Sequence, residues 1–161
     1  MPERVVNIIF AGLGGQGVLK ASDIAADAAF RAGFDVKKSE VHGMSQRGGS
    51  VTSDVRFGAK VNSPMVPSGE ADFLVVLASD QVENNRWQLK PGGVLITTDA
   101  IDERALRNKK SFNVALLGLL SRHLTIPEAE WHAAICASLA EKLHEANLQA
   151  FALGRDAGAA R

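Results

Sequence analysis

Six residues constrain this chain more than any others: Gly12-Leu13-Gly14-Gly15-Gln16-Gly17, which satisfy the spacing G-x-G-x-x-G. Before them, residues 5–11 (VVNIIFA) form a near-continuous, β-branched apolar run, as a strand buried on both faces requires. After them, VLKASDIAADAAFRAG is rich in alanine, free of proline and closed by Gly33, the pattern of a helix with a C-terminal glycine. Strand, glycine turn and helix make the first half of a βαβ unit. In that setting the glycines allow a close backbone approach, and the helix start offers free N–H groups to an anion.

The loop is not a nucleotide-triphosphate loop, because Val18 and Leu19 stand where Lys and Ser/Thr would be needed. A dinucleotide site would require an acid about 20 residues further on to hold ribose hydroxyls, and Glu40 has the spacing. The glycines could also serve only to pack the strand against the helix.

Further along, residues 34–41 read as a second strand and 50–57 (SVTSDVRF) as a strand with one exposed face. Residues 72–78 (DFLVVLA) read as a buried strand, KPGG at 90–93 as a turn and 94–98 as another strand. Beyond residue 110 the chain reads as helical. Thr125 and Glu128 have capping-box spacing, and Trp131, Ile135, Leu139 and Leu143 recur every four residues as one core stripe of a last helix. The expectation is one α/β domain over 1–161: a Rossmann-like three-layer fold, its sheet mostly parallel, with C-terminal helices and a flexible tail at 154–161.

Charge excludes one large class of function. Eighteen basic residues balance eighteen acidic ones, so nothing drives binding to nucleic acid. The nearest basic run, RALRNKK at 104–110, reads as an exposed connection. A single cysteine, Cys136, allows neither an internal disulfide nor a cysteine-ligated cluster. The first apolar run, about seven residues long, is too short for a signal peptide or a membrane span, so a cytoplasmic protein is expected. His132 and Cys136, four apart on a helix, lack further ligands and read as structural, as do His123 and His144.

The segment EVHGMSQRGGS at 40–50 is crowded with polar groups where a strand should end. Ligands bind where the carboxyl ends of neighbouring strands share an edge. If residues 34–41 lie beside 5–11, the second loop becomes the other wall of a cleft opposite GLGGQG. Arg47 then offers a bidentate contact, with Ser45, Gln46 and His42 as further donors.

These motifs together carry a resemblance. GLGGQG, E-x-H-G-M-S-Q-R-G-G and S-x-V-R-F resemble the gamma-type subunit of 2-oxoacid:acceptor (ferredoxin) oxidoreductases, nearest to the beta subunit of indolepyruvate:ferredoxin oxidoreductase. NVALLGLL and the C-terminal IPEAEW…EKLHEANLQAF look like the same family. The resemblance implies a small subunit of a larger enzyme that oxidatively decarboxylates a 2-oxoacid, indolepyruvate among the candidates, with coenzyme A to an acyl-CoA. Thiamine diphosphate and 4Fe-4S clusters would sit on larger companion chains, with ferredoxin or another carrier as electron acceptor. It places Gly12, Gly14, Gly15, Gln16 and Gly17 on one edge of a coenzyme A site. His42, Gly43, Met44, Ser45, Gln46, Arg47, Gly48 and Gly49 fall on the other, with no catalytic residue and no metal ligand in this chain. One departure stands out: the family's segment between the strand near Thr98 and the Asn-x-x-x-L-G helix (Asn113 to Gly118) is usually longer than the DAIDERALRNKKSF found here. Two other readings stay open: an independent NAD(P)- or FAD-binding Rossmann oxidoreductase, and a purely structural assembly subunit.

Overall fold

The computed structural model describes residues 4–42 and 49–159. Five strands form one sheet: β1 (Val6–Leu13), β2 (Asp35–His42), β3 (Ser50–Gly58), β4 (Ala71–Val76) and β5 (Leu89–Ile96). Their order is β2-β3-β1-β4-β5. β4 pairs parallel with both β1 and β5, whereas β3 runs antiparallel to both β1 and β2. Four strands therefore point the same way and one is reversed. The chain leaves β1, crosses over through α1 (Val18–Arg31) and returns as β2 two positions away. β3 then folds back into the gap, so the second strand does not lie beside the first.

Local chemistry explains most boundaries. Ile8 to Ala11 are buried on both faces of the sheet, whereas β3 alternates strictly, with Val51, Ser53, Val55 and Phe57 turned inward. α1 closes on Gly33 (φ 95°) in a Schellman pattern: the Phe34 N–H reaches the Ala29 carbonyl and the Gly33 N–H that of Phe30. The KPGG segment is no separate turn. It lies inside β5, where a register irregularity opposite Ala71 to Phe73 absorbs it.

Helices α1, α3 (Phe112–Ser121), α4 (Glu128–Ser138) and α5 (His144–Ala159) join one core against the Ile8, Phe10 and Val75 face. The opposite face is thinner. Ile9, Leu74 and Val76 are covered there by Val66 and by Val82 of the one-turn helix α2 (Val82–Asn85). Asp54 accepts the Val66 N–H at 2.9 Å and Arg56 donates to the Ser63 carbonyl at 2.8 Å, pinning the proline loop onto that face.

The expected single last helix is two. α4 starts at Glu128 with Pro127 as its cap, so Thr125 caps nothing. It ends at Ser138, where Leu139 turns extended (φ −127°, ψ 151°). The His144 ring bridges the break, its Nε2 lying 2.9 Å from both the Cys136 and Leu139 carbonyl oxygens. Trp131 and Ile135 are core, while Leu139 and Leu143 face a cleft. α5 continues through the stretch read as a tail as far as Ala159, and Gly154 is buried in it. α3 and α5 cross in backbone contact: a Cβ at Gly154 would overlap the Ala115 carbonyl oxygen, and one at Gly118 that of Phe151.

Candidate functional site

The carboxyl ends of β1, β4 and β5 open into a cleft of about 810 Å³, within the roughly 300–1,000 Å³ common for ligand sites. Gly15, Gln16 and Gly17 form one rim, and Leu77 and Thr98 follow β4 and β5. The remaining walls come from 101–114 and from Leu139, Leu143 and Asn147.

The glycine loop is braced from within. Gln16 turns its side chain back, and its Oε1 accepts the Leu13 N–H at 2.7 Å. Gly12 is needed for packing, because a Cβ there would stand 2.8 Å from Val18 Cγ2 and 3.2 Å from Leu77 Cβ. Gly17 holds the left-handed conformation (φ 81°) at the start of α1, a conformation other residues adopt at a cost. No side chain caps α1, so its first N–H groups and its positive dipole end are left for an anion. Asn113 ties this rim to α3 by donating from Nδ2 to the Gly17 carbonyl at 3.1 Å.

Positive charge gathers along the cleft. Lys20, Lys109 and Lys110 line it against a single carboxylate, Glu103. The basic run first read as an exposed connection thus supplies part of the wall, through short 3-10 turns at Thr98–Ala100, Glu103–Ala105 and Lys109–Ser111. No local pattern marks these side chains as neighbours of GLGGQG, because strands β4 and β5 intervene in the sequence.

Gly49, which ends the second loop, reaches the first loop by another route than expected. β3, not β2, is paired with β1, with Ser50 opposite Leu13, and the Gly14 N–H donates to the Gly49 carbonyl at 2.9 Å. Gly49 is thus beside the glycine loop. His42 sits on the edge strand, exposed, 3.7 Å from Glu40, and does not line the cleft. Gly43, Met44, Ser45, Gln46, Arg47 and Gly48 lie outside the described residues.

Glu40 does not serve as a ribose acid here. It lies on β2 with β3 between it and β1, and Lys38 donates to it at 2.7 Å, which holds its carboxyl below the usual glutamate range. This removes the geometric support for the dinucleotide reading. Among the described residues, no three His, Cys, Asp or Glu side chains gather at a common point, and no helix is long and apolar enough to cross a membrane. His132 rests edge-on against Phe151 with Glu128 at 3.7 Å, and His123 is tilted against Phe73. Trp131 is fully buried, whereas Trp87 is 63% exposed.

An open α/β fold with an uncapped helix start and a cationic cleft at its carboxyl edge defines a domain suited to an anionic ligand. The chain belongs to the pyruvate ferredoxin/flavodoxin oxidoreductase family, whose model matches residues 7–157. Indolepyruvate oxidoreductase subunit IorB of Thermococcus kodakarensis is 50% identical over 93 residues, 56% of this chain and 45% of that protein. The pyruvate/ketoisovalerate oxidoreductases common subunit gamma of Thermococcus litoralis is 32% identical over 118 residues, 70% of this chain and 64% of its own length. This chain's match thus spans about half the length of its IorB relatives. Among solved structures, 2-oxoglutarate:ferredoxin oxidoreductase from Magnetococcus marinus, with 2-oxoglutarate, coenzyme A and succinyl-CoA bound, superposes with a TM-score of 0.86 at 20% identity. It covers 99% of this chain and 32% of that one. The gamma subunit of a keto/oxoacid ferredoxin oxidoreductase from Geobacter sulfurreducens gives 0.74 at 24% identity, over 97% and 99% of the two chains. At these identities the structural likenesses establish the fold.

Proposed function

We propose that this chain is the small subunit of a multi-subunit 2-oxoacid:acceptor oxidoreductase that converts a 2-oxoacid and coenzyme A to an acyl-CoA, and that its cleft takes the coenzyme A. The carrying observation is the cleft itself, where an uncapped helix start and three lysines meet beside the glycine loop. These groups suit a polyphosphorylated ligand, and the apolar wall of Ile101, Leu139 and Leu143 suits its aliphatic arm. The relatives' names supply the reaction class, and indolepyruvate is the substrate named for the IorB proteins.

Thiamine diphosphate and iron–sulfur clusters belong, on this reading, to companion chains. One cysteine cannot ligate a 4Fe-4S cluster, which requires four thiolates. Ferredoxin is the acceptor class that the solved relatives are named for. The 42–49 loop is assigned to the same edge of the site, with Arg47 as its cation.

Tagged in its native host, the chain should copurify with larger, brown, iron-containing partners that oxidise 2-oxoacids only when coenzyme A is added. A lone, stable chain that reduces a substrate with NADH would overturn the reading. Arg47→Ala should raise the apparent Michaelis constant for coenzyme A. An unchanged constant would assign that loop to a subunit interface.

A further inference from the structure

The segment between β5 and α3 carries four cations, and two of them are neutralised nearby. Arg104 pairs with Asp102 at 3.1 Å and Arg107 with Glu145 at 2.7 Å. Lys109 and Lys110 make no ion pair among the described residues, and both line the cleft. Their turn is anchored: the Asn108 side chain accepts the Lys110 N–H at 3.0 Å, and the Ser111 hydroxyl donates to the Asn108 carbonyl. Two ammonium groups carried on an anchored turn set positive charge beside the cleft, separate in origin from the backbone donors of α1.

The far wall of the cleft adds an amide. Asn147 is only 6% exposed and lines the same cleft. Its Nδ2 donates to the Leu143 carbonyl at 2.8 Å, while its Oδ1 accepts no hydrogen bond among the described residues. The amide oxygen is not among the buried atoms left without a partner, so it opens on the cleft, where it can accept from a ligand N–H. The cleft thus offers ammonium groups to more than one anionic group and an amide oxygen to an N–H.

We propose that the Lys109–Lys110 turn reads a phosphomonoester carried in addition to the pyrophosphate, so that the cleft prefers a 3′-phosphorylated nucleotide cofactor over the same molecule lacking that phosphate. The inference rests on the reading of the cleft as the coenzyme A site. Helix N–H groups serve any pyrophosphate, and the lysine pair supplies the discrimination.

The test is equilibrium binding of coenzyme A and of dephospho-coenzyme A to the chain in its native assembly. Wild type should bind coenzyme A about tenfold or more tightly than the dephospho form, as charge-assisted contacts to one phosphate would give. Lys109→Gln with Lys110→Gln should remove most of that gap by weakening coenzyme A alone. Lys109→Arg with Lys110→Arg should retain it. A gap intact in the glutamine variant, equal weakening of both ligands, or no gap in wild type would each overturn the assignment of the turn. If neither ligand binds wild type, the coenzyme A reading itself fails, a result distinct from all of these.

Discussion

The Asn113 side chain donates a hydrogen bond to the Gly17 carbonyl at 3.1 Å, joining the first turn of α3 to the start of α1 across 96 residues of sequence. Asn113 is also nearly filled in at its other end, where its Oδ1 accepts the Val114 N–H at 3.0 Å. The anion rim of the cleft is therefore held from behind by a helix that belongs to the C-terminal half of the chain. Asn113→Ala should cost about 1 kcal/mol of stability by removing this bond, since the half-buried Gly17 carbonyl keeps the Ala21 N–H at 3.0 Å. It should also weaken coenzyme A binding, and chemical denaturation alongside calorimetry would measure the two effects.

Gln16 offers a way to separate bracing from charge. Gln16→Ala should loosen the loop at a cost of about 1 kcal/mol, the worth of its bond to the Leu13 N–H. Gln16→Glu keeps an acceptor there but sets a carboxylate on the rim of the cleft. Stability close to wild type with weaker coenzyme A binding is the expected result for the second variant.

Two aspartates on the sheet should respond to acid with opposite signs. Burial alone would raise the Asp72 carboxyl, but hydrogen bonds from Lys90, the Asn7 N–H and Arg4 carry it below its ordinary value of 3.8. Its contribution is complete above that value and is lost as pH falls through the lower folded-state one. For Asp54, burial outweighs the Val66 N–H and Arg56 and raises the carboxyl, so its ionisation costs stability as pH rises through the elevated range. Asp72→Asn should destabilise by about 1–3 kcal/mol at neutral pH and flatten the acid side of the stability profile. Asp54→Asn, which can still accept the Val66 N–H, should be neutral or stabilising at neutral pH. Urea denaturation between pH 3 and 7 checks both.

At the crossing of α3 and α5 there is no room for a methyl group. Gly154→Ala and Gly118→Ala should each destabilise by about 1–3 kcal/mol or more through overpacking against rigid backbone. Thermal unfolding of the two variants measures this, with Gly92→Ala, which meets nothing within 4 Å, testing backbone strain alone at φ 81°.

What was legible in the sequence was what neighbouring residues decide. β1, the glycine turn, α1 and the inward face of β3 follow from patterns of a few residues and from Gly33. The slot that β3 fills was not legible, because strand order depends on pairing partners far apart in the chain. The end of α4 at Ser138 carries neither glycine nor proline, and its free carbonyls are met by His144 from beyond the break. For the site, the glycine rim could be read directly, since its chemistry is local. Lys109, Lys110 and Asn147 could not, since only the folding of the C-terminal half behind β1 brings them to that rim.

The absence of two side chains at Gly118 and Gly154 has a mechanical meaning. With their backbones touching, α3 and α5 act as one strut, which carries Asn113 at one end of the cleft and Asn147 in its wall. The grip on Gly17 and the unfilled amide oxygen are thereby set at a fixed separation. The gauge of the cleft is cut by two glycines that never touch what it holds.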